Sequence, residues 1–319
     1  GVMTAEWDAT GGLDTRLELP PTGVMIGKVT GMGIHSGLTI ETTLDPAEQP
    51  FLDHHRIDGT PVLPGVMGIE AFAEAATLLF PELRVAAVED VEFLAPFKFY
   101  RGEPRTFTIE VHFPLVGEEV VAEARMIGRR ILPGQAEPQE TVHFRARVRL
   151  APEAPDAAEA AHVPAVETAA VGAEDIYRIY FHGPAYQVME SAWRDGDGVA
   201  GRLAGPLPPD HRPEEPPTLM DPRLIELCFQ TAGVGELGVS GRMALPQHVD
   251  RVRTLRRPVE RNGPLFAVAR PGDGGTDAYV VDGEGRLYLS LSGYRTVEMP
   301  GGLAADLVAP LRAAMETRP

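Results

Sequence analysis

A histidine stands shortly before an apolar, helix-forming stretch in the first half of the chain. The sequence "DHHRIDGTPVLPGVMGIEAF", residues 53–72, contains His55 and then a Pro-Gly pair that opens an almost wholly apolar run. The first N–H groups of a helix have no partners within it and carry partial positive charge, so they suit an oxygen that gains negative charge. Gly65 lets a ligand approach the backbone closely. A neutral imidazole there can remove a proton next to a carbonyl group whose oxygen the helix start holds.

The second half offers a proton donor. Glu226 and Gln230 are four residues apart in "PRLIELCFQTAGVGELG", which places both on one face of a helix. Burial in an apolar pocket raises the pKa of a carboxyl group and lowers that of a histidine. We therefore predict that His55 is an uncharged base and Glu226 a protonated acid whose direction is fixed by Gln230. Such a pair can catalyse elimination or isomerisation.

Two buried helices and a series of strands must position these groups. The run from Gly65 to Phe80 opens on Pro-Gly and ends at Pro81, and its apolar residues on all sides predict a buried helix. A second such helix begins at Pro222. Alternating apolar residues predict strands with one face exposed to water. The predicted strands cover residues 91–99, 107–113, 120–127 and 142–150, then 265–270 and 277–299 with an Asp-Gly turn at 282–283.

The order of elements repeats, which indicates a duplicated fold. Each half has one helix followed by an antiparallel sheet long enough to wrap around it, and the fold class is α+β. "DHHRIDGTPVLPG" at 53 is faintly echoed by "DHRPEEPPTLMDP" at 210. The predicted boundaries are an N-terminal linker at 1–30, a first half at 31–150, an Ala/Pro/Glu-rich linker at 151–172, and a second half with a C-terminal helix at 173–319.

Composition excludes several classes of function. The chain has 319 residues, 44% of them hydrophobic, and a formal net charge of −17, which argues against binding to nucleic acid or an anionic membrane. The single cysteine, Cys228, excludes an intramolecular disulfide and a cysteine-based zinc site. The sequence contains no apolar run long enough to span a membrane and no secretory signal, so we expect a cytoplasmic protein.

Four stretches, in order along the chain, resemble motifs of one known family. Residues His55 to Pro64 fit H-x3-G-x4-P, "IYFHGPAYQVMESAW" is similar to a Y-G-P-x-F stretch, "PRLIELCFQ" to an H-P-x-x-x-D-x-x-x-Q helix, and "ALPQHVDRVR" to an L-P-x-x-V stretch. These are motifs of the dehydratase domains of polyketide synthases, and the resemblance spans about 200 residues. It implies a double hot-dog fold, with two antiparallel sheets each wrapped around a central helix.

The resemblance also implies residue roles. His55 is the base, the Gly65 N–H binds the carbonyl oxygen, and Glu226 stands where the family has Asp. The sequence departs from the motifs in having His182 for Tyr and Tyr186 for Phe. The residues expected to contact the substrate are Gly59, Pro64, Gly65, Gln230, His182 and Tyr186.

Glu70 is an alternative acid. "PVLPGVMGIEAF" is also similar to the bacterial hydroxydecanoyl-carrier-protein dehydratases, in which the acid lies on this first helix at the position of Glu70. Pseudo-symmetry would relate Glu70 to Glu226, and in such folds the base of one half works with the acid of the other. We therefore expect His55 to face Glu226, and Glu70 to face the second half, where His211 is its only candidate partner; a second site formed by Glu70 and His211 is not predicted.

Other residues have plainer interpretations. His54 is expected to be structural, and "DHHRID" lacks the three or four converging ligands that a metal needs, so no metal site is predicted. Cys228 is expected in the core. The basic run at 251–262 suits an acidic carrier protein or its phosphopantetheine phosphate, as well as an ordinary solvated edge. Its candidate docking residues are Arg251, Arg253, Arg256 and Arg257.

The expected function is removal of water from a 3-hydroxyacyl thioester carried on the phosphopantetheine of an acyl carrier protein. The protein itself needs no cofactor, and its expected partners are the carrier protein and other synthase domains. A homodimer through a sheet edge is compatible with the sequence. The alternatives are a double-bond isomerase or product-template cyclase of the same fold, a non-catalytic domain that binds carrier proteins, and a hot-dog thioesterase.

Overall fold

The computed structural model describes residues 4–7, 13–16, 23–33, 37–114, 120–130, 137–155, 161–165, 169–215, 217–257 and 263–316. The helices in these residues are α1 (Pro50–Asp53), α2 (Gly65–Thr77), α3 (Ala173–Tyr177), α4 (Pro222–Ser240) and α5 (Ala305–Met315). The strands of the first half are β1 (Thr4–Trp7), β2 (Leu13–Arg16), β3 (Lys28–Gly33), β4 (Gly37–Leu44), β5 (Arg56–Ile57), β6 (Thr60–Pro61), β7 (Arg84–Phe93), β8 (Arg105–His112), β9 (Val120–Arg130) and β10 (Gln139–Ala151). The strands of the second half are β11 (Val171–Gly172), β12 (Met189–Asp195), β13 (Gly198–Leu203), β14 (Ala244–Thr254), β15 (Leu265–Gly272), β16 (Gly275–Asp282) and β17 (Leu287–Glu298).

Thirteen strands form one continuous antiparallel sheet. The first half contributes the order β3-β4-β8-β9-β10-β7 and the second half continues it as β14-β17-β16-β15-β13-β12-β11. The halves join where β7 pairs with β14, with Val91 opposite Val249 and Val88 opposite Val252. These four valines are buried. The two predicted sheets are therefore fused edge to edge, which removes two open sheet edges.

Each half packs its sheet against one helix, as predicted. In α2 every residue from Val66 to Ala76 is buried, and most of the N-terminal part of α4 is buried too. Small residues let α2 lie close to the sheet: a Cβ added at Gly68 would stand 2.6 Å from the Phe144 ring. The two helices also contact each other, while α5 packs on α4. The contact between α2 and α4 brings the functional residues of the two halves together.

The first predicted boundary is wrong. Met25 is fully buried, and the N–H groups of Val24 and Met25 donate to the Glu74 carboxylate of α2 at 3.1 and 2.9 Å. Strand β3 then begins at Lys28. Residues from 23 onward therefore belong to the first half, because the buried carboxyl group of Glu74 fixes their backbone.

Two further predictions need correction. The alternating run 91–99 is not one strand, since β7 ends at Phe93, and Pro96 further on cannot donate to a strand ladder. Within the predicted linker 151–172, Val171 and Gly172 form the edge strand β11. The predicted C-terminal helix is present as α5. No helix in the described residues is both long enough and apolar enough to cross a membrane.

Candidate active site

A cavity of about 260 Å³ is lined by residues from both halves of the chain. Its polar side chains include His55 from the first half and His182, Glu226 and Gln230 from the second. Most of the remaining wall is apolar. Leu94 and Val297 line the cavity and are half exposed, so they mark its opening. The predicted base and the predicted acid therefore face one space.

His55 is held by the turn that follows α1. Its N–H donates to the Leu52 carbonyl at 3.2 Å, and its carbonyl accepts the Val62 N–H at 3.0 Å. The ring Nδ1 lies 2.7 Å from the Val62 carbonyl oxygen. Because a carbonyl can only accept, Nδ1 carries the proton and Nε2 keeps a free lone pair. The backbone thus fixes the tautomer that a base needs.

The electrostatic surroundings keep the His55 ring uncharged. Burial, and after it the nearby His182, lower its pKa to about 4, against the weaker opposing effect of Glu226. The ring is therefore neutral at pH 7, as the sequence predicted. The lowered pKa makes His55 a weaker base in equilibrium terms, but it guarantees that the lone pair is available.

Gly65 supplies a helix start beside this base. Pro64 precedes the helix, and its carbonyl accepts the N–H groups of Met67 and Gly68 at 3.0 and 3.2 Å. The N–H of Gly65 is one of the groups that a helix leaves without an internal partner. A Cβ at Gly65 would lie 2.6 Å from the Phe93 ring. Glycine is needed here because Phe93 occupies the space next to the backbone.

The acid is not a lone carboxyl group. Oε1 of Glu226 lies 3.1 Å from Nε2 of His182 and accepts a hydrogen bond from Nε2 of Gln230 at 2.9 Å. Gln230 also donates to the Tyr186 carbonyl at 3.0 Å and accepts the Tyr177 hydroxyl proton at 2.7 Å. The carboxylate, the imidazole and the amide form one hydrogen-bonded cluster.

The pKa of Glu226 runs against the sequence expectation. Burial alone raises it, but pairing with His182, the proximity of His55 and the hydrogen bond from Gln230 together bring the pKa below the ordinary glutamate value. The prediction that burial keeps this carboxyl protonated is therefore wrong. The reason is that donors surround Oε1, and they stabilise the charged form.

His182 reaches this position through its backbone. It forms a β-bridge with His55, and their ring centroids are 5.3 Å apart. The neighbouring Gly183 N–H donates to the His54 carbonyl at 2.7 Å, and Nδ1 of His54 accepts the Ala185 N–H at 3.0 Å. His54 is thus structural, as predicted, and it ties the two halves together beside the site.

Three predicted substrate contacts do not line the cavity. Gly59 has a φ of 77° and lies in the turn between β5 and β6. Pro64 acts as the residue before α2. Tyr186 is completely buried and contributes its carbonyl to Gln230. These residues shape the site from behind, whereas Gly65, Gln230 and His182 line it.

Glu70 faces the second half, as expected, but its hydrogen-bond partners there are backbone groups rather than His211. Its two carboxylate oxygens accept the N–H groups of Leu219 and Met220 at 2.6 and 2.8 Å, and it does not line the cavity. His211 is hydrogen-bonded to Asp210 through Nδ1 at 2.8 Å. Glu70 therefore holds the segment before α4 in place, and its position on the first helix gives it no access to the substrate space.

The aromatic wall was missed by the sequence analysis. Tyr180 and Phe181 line the cavity, and so do the four rings of Phe93, Phe144, Phe229 and Tyr294. Phe229 stacks on Tyr294 with centroids 4.4 Å apart. The one sign of this aromatic wall in the sequence is that Tyr180 and Phe181 directly precede His182. This wall fits an apolar acyl chain.

The four candidate docking arginines lie away from the cavity. Leu245 and Pro246, near the start of β14, line the cavity, whereas Arg253 is near the end of that strand, about 26 Å further on at ~3.3 Å per residue. Arg251 is paired with the buried Glu89 at 3.1 Å. In the described part of the chain, no group of three or more His, Cys, Asp or Glu side chains is arranged to hold a metal ion.

The chain is similar to known proteins along most of its length. A family model described as polyketide synthase dehydratase domain matches residues 25–119, and one described as polyketide synthase dehydratase N-terminal domain matches residues 150–304. The polyketide synthase ThaG of Burkholderia thailandensis is 28% identical over 285 residues, which cover 82% of this chain and 5% of that protein. One subunit of a polyunsaturated fatty acid synthase from a Thraustochytrium species is 25% identical over 245 residues, covering 75% of this chain and 8% of that protein. The chain thus spans less than a tenth of either relative.

Solved structures share the fold. The dehydratase domain from the CurF module of curacin polyketide synthase superposes with a TM-score of 0.70 at 19% identity, covering 86% of this chain and 99% of that one. The dehydratase domain of PpsC from Mycobacterium tuberculosis gives a TM-score of 0.65 at 17% identity, covering 88% of this chain and 100% of that one. The architecture is a double hot-dog.

Proposed function

Because this chain belongs to the polyketide synthase dehydratase family, we propose that it removes water from a 3-hydroxyacyl thioester and leaves a 2,3-enoyl thioester. The observation that supports this most directly is the shared cavity. An uncharged imidazole, an open helix start and a hydrogen-bonded carboxyl cluster line one apolar space. These are the groups that a proton abstraction next to a carbonyl and the loss of a hydroxyl require.

In the proposed reaction, Nε2 of His55 takes the proton from C2 of the substrate. The thioester carbonyl oxygen lies at the start of α2, where the Gly65 N–H stabilises the negative charge that develops. The C3–O bond then breaks, and the hydroxyl group leaves as water with a proton from the Glu226 cluster. The electron pair of the C2–H bond becomes the new double bond. No oxidant or reductant takes part.

The experiment is an intact-mass assay. The chain is incubated with a 3-hydroxyacyl thioester of pantetheine, and the thioester is then weighed. We expect the loss of the mass of one water. An isomerase would leave this thioester unchanged and would instead move the double bond of an enoyl thioester at constant mass, and a free acid would indicate a thioesterase. Failure to change any 3-hydroxyacyl thioester would contradict the proposal.

The His55→Ala variant separates catalysis from binding. We expect it to keep the fold, as judged by its circular dichroism and melting temperature, and to lose turnover. His54→Ala is the matched control, because that neighbouring ring holds the backbone at Ala185 and does not line the cavity. It should retain dehydration by its folded fraction. Turnover that survives in His55→Ala would place the base elsewhere.

We further propose that the substrate arrives on an acyl carrier protein of a larger synthase. The half-exposed Leu94 and Val297 at the opening leave room for an extended arm. The candidate docking surface consists of Arg251, Arg253, Arg256 and Arg257, in and just after the last part of β14. An Arg253→Glu variant should lose activity on the carrier-bound thioester only, with unchanged activity on the pantetheine thioester. If the variant keeps wild-type activity on both the carrier-bound and the pantetheine thioester, these arginines are not the docking surface.

A further inference from the structure

His182 is placed as a partner of the acid. Its side chain is 5% exposed and that of Glu226 is 8% exposed, and Nε2 stands 3.1 Å from Oε1. The ring stacks on Phe181, with centroids 4.5 Å apart, and its backbone is bridged to that of His55. It occupies the position where the family motif has Tyr, so a titratable imidazole replaces a phenol beside the carboxyl group.

The charge around this pair needs compensation. None of the described residues that line the cavity is a lysine or an arginine. The titratable groups that face Glu226 are the two histidines at 55 and 182, and the tyrosines that surround it from α3, from the segment after α3 and from β17. These tyrosines are Tyr177, Tyr180, Tyr186 and Tyr294. Burial raises the pKa of all four tyrosines, so all four are uncharged at neutral pH.

An ionised Glu226 beside a neutral His182 would leave one unpaired negative charge in an apolar cavity. Removing an unpaired carboxylate from water costs several kcal/mol or more. One additional proton, held on either partner, makes the pair neutral overall. His55 cannot supply the compensating charge, because its ring is uncharged at neutral pH. The remaining acceptor for that proton is the pair itself.

We propose that His182 and Glu226 share one proton, and that this pair rather than the carboxyl alone supplies the proton to the leaving hydroxyl. The donation of this proton to the leaving hydroxyl rests on the proposed dehydratase function. The sharing of the proton between His182 and Glu226 does not. His182 acts through Glu226 and is a positioning residue that also stores the proton. The shared proton explains how the pair can donate a proton at neutral pH although the carboxyl group of Glu226 favours its charged form.

The proton balance of the cycle is closed. His55 gains the proton from C2, and the pair loses one proton to the departing hydroxyl, which leaves as water. The proton on His55 then returns to the pair before the next turnover. The ring centroids of His55 and His182 are 5.3 Å apart, so the transfer spans a short distance within one cavity.

In the proposed pair, Glu226 stabilises the proton on His182. Nδ1 of His182 is buried and has no hydrogen-bond partner in the described part of the chain. A protonated ring is therefore stabilised by the carboxylate at Nε2 and by no second acceptor. Removing the charge of Glu226 should remove the reason for His182 to hold a proton, and this gives a test that needs no substrate.

The first test is a pH profile of His182→Gln. The amide nitrogen of glutamine can replace Nε2 as a donor to Glu226, but it cannot hold an exchangeable charge. We expect kcat at neutral pH to fall by about 10²-fold, the ordinary contribution of a positioned proton donor. The basic limb should move to lower pH. A wild-type profile in this variant would show that His182 is only a hydrogen-bond donor.

Phe181→Leu is the matched control. It disturbs the ring that stacks on His182 without changing any titratable group. Its kcat, KM and acid limb can change, because Phe181 also contacts the His55 ring with centroids 5.1 Å apart, but the basic limb of its pH profile should stay where it is in the wild type. A shift in its basic limb equal to that of His182→Gln would attribute the effect to packing and would overturn the proposal.

The second test is nitrogen NMR of the histidine rings at pH 7. We expect His182, identified by comparison with His182→Gln, to give the shifts of a charged imidazolium in the wild type and of a neutral ring in Glu226→Gln. A neutral ring in both proteins would overturn the shared proton. If the NMR result holds and the wild type dehydrates no thioester, the proposed function fails while the pair stands. If His182→Gln does not fold, assignment can use the resonances that Phe181→Leu shifts, with those of His55 identified separately by His55→Ala.

Discussion

Lowering the pH perturbs this site in a way that can be worked out in advance, because the proposed reaction depends on one uncharged imidazole. The pKa of His55 is lowered from 6.5 to about 4, first by burial and then by His182. At pH 5.5, an imidazole of ordinary pKa would be neutral in ~9% of molecules, whereas one with a pKa near 4 would be neutral in ~97%. The two cases differ about tenfold in active enzyme at that pH.

The assay is kcat/KM for a 3-hydroxyacyl pantetheine thioester, which reports the free enzyme. The pH is varied across the acid range while circular dichroism confirms that the protein stays folded. We expect the acid limb to have its midpoint near 4, as set by His55. In His182→Gln the limb should move up, because one cause of the lowered pKa is gone, but it should stay below the ordinary histidine value because burial remains. A wild-type midpoint above about 6 would refute the argument from burial.

Three other perturbations separate the site from its supports. Glu226→Gln should lower kcat by about 10²- to 10⁴-fold with little change in melting temperature. Glu70→Gln should instead lower the free energy of unfolding in urea by about 1–3 kcal/mol and leave the folded fraction active. The reverse pattern would exchange the roles of the two glutamates. Gly65→Ala would place a Cβ 2.6 Å from the Phe93 ring. The cost of overpacking, about 1–3 kcal/mol, should exceed the gain of about 1 kcal/mol in helix propensity, and KM should rise. Unchanged stability and an unchanged KM would show that Phe93 moves freely. The pKa of Glu74 is raised well above its ordinary value by burial and then by Glu70. At pH values between the ordinary and the raised pKa, the folded chain therefore holds a proton on Glu74 that the unfolded chain has lost. Stability should be complete below the ordinary glutamate range and decline as pH rises through the raised pKa; Glu74→Gln should flatten this decline, and an equal slope in both proteins would contradict the burial argument.

The two helices that carry the site could be predicted from local chemistry. Pro64 and Gly65 open α2, and Pro222 is the first residue of α4, where proline costs no helical hydrogen bond. Apolar residues all around the helices predicted that both are buried. Alternation predicted β8, β9, β10, β15, β16 and β17 but not β12, β13 or β14, and at Pro96 the alternating pattern continued past the end of β7. Local pattern was sufficient wherever one residue type fixes one backbone conformation.

The state of the acid could not be predicted in the same way. The pKa of Glu226 depends on which donor approaches Oε1, and that donor, His182, is 44 residues earlier in the sequence. The sequence showed His182 only as a departure from a motif. Likewise, the fusion of the two sheets depends on pairing between β7 and β14, which no local pattern specifies. Tertiary contacts of this kind decide electrostatics and sheet order, while local periodicity decides the elements.

The two glutamates show how one helix position acquires two roles in a duplicated fold. Glu70 and Glu226 each lie in the early part of the central helix of their half, and both are buried. Glu70 receives two backbone N–H groups and does not line the cavity. Glu226 receives the imidazole and the amide on Oε1 and lines the cavity. Glu70 is held by backbone groups of the opposite half, whereas the donors to Glu226 come from its own half, so the acid could be chosen only once the partners of both carboxyl groups were in place.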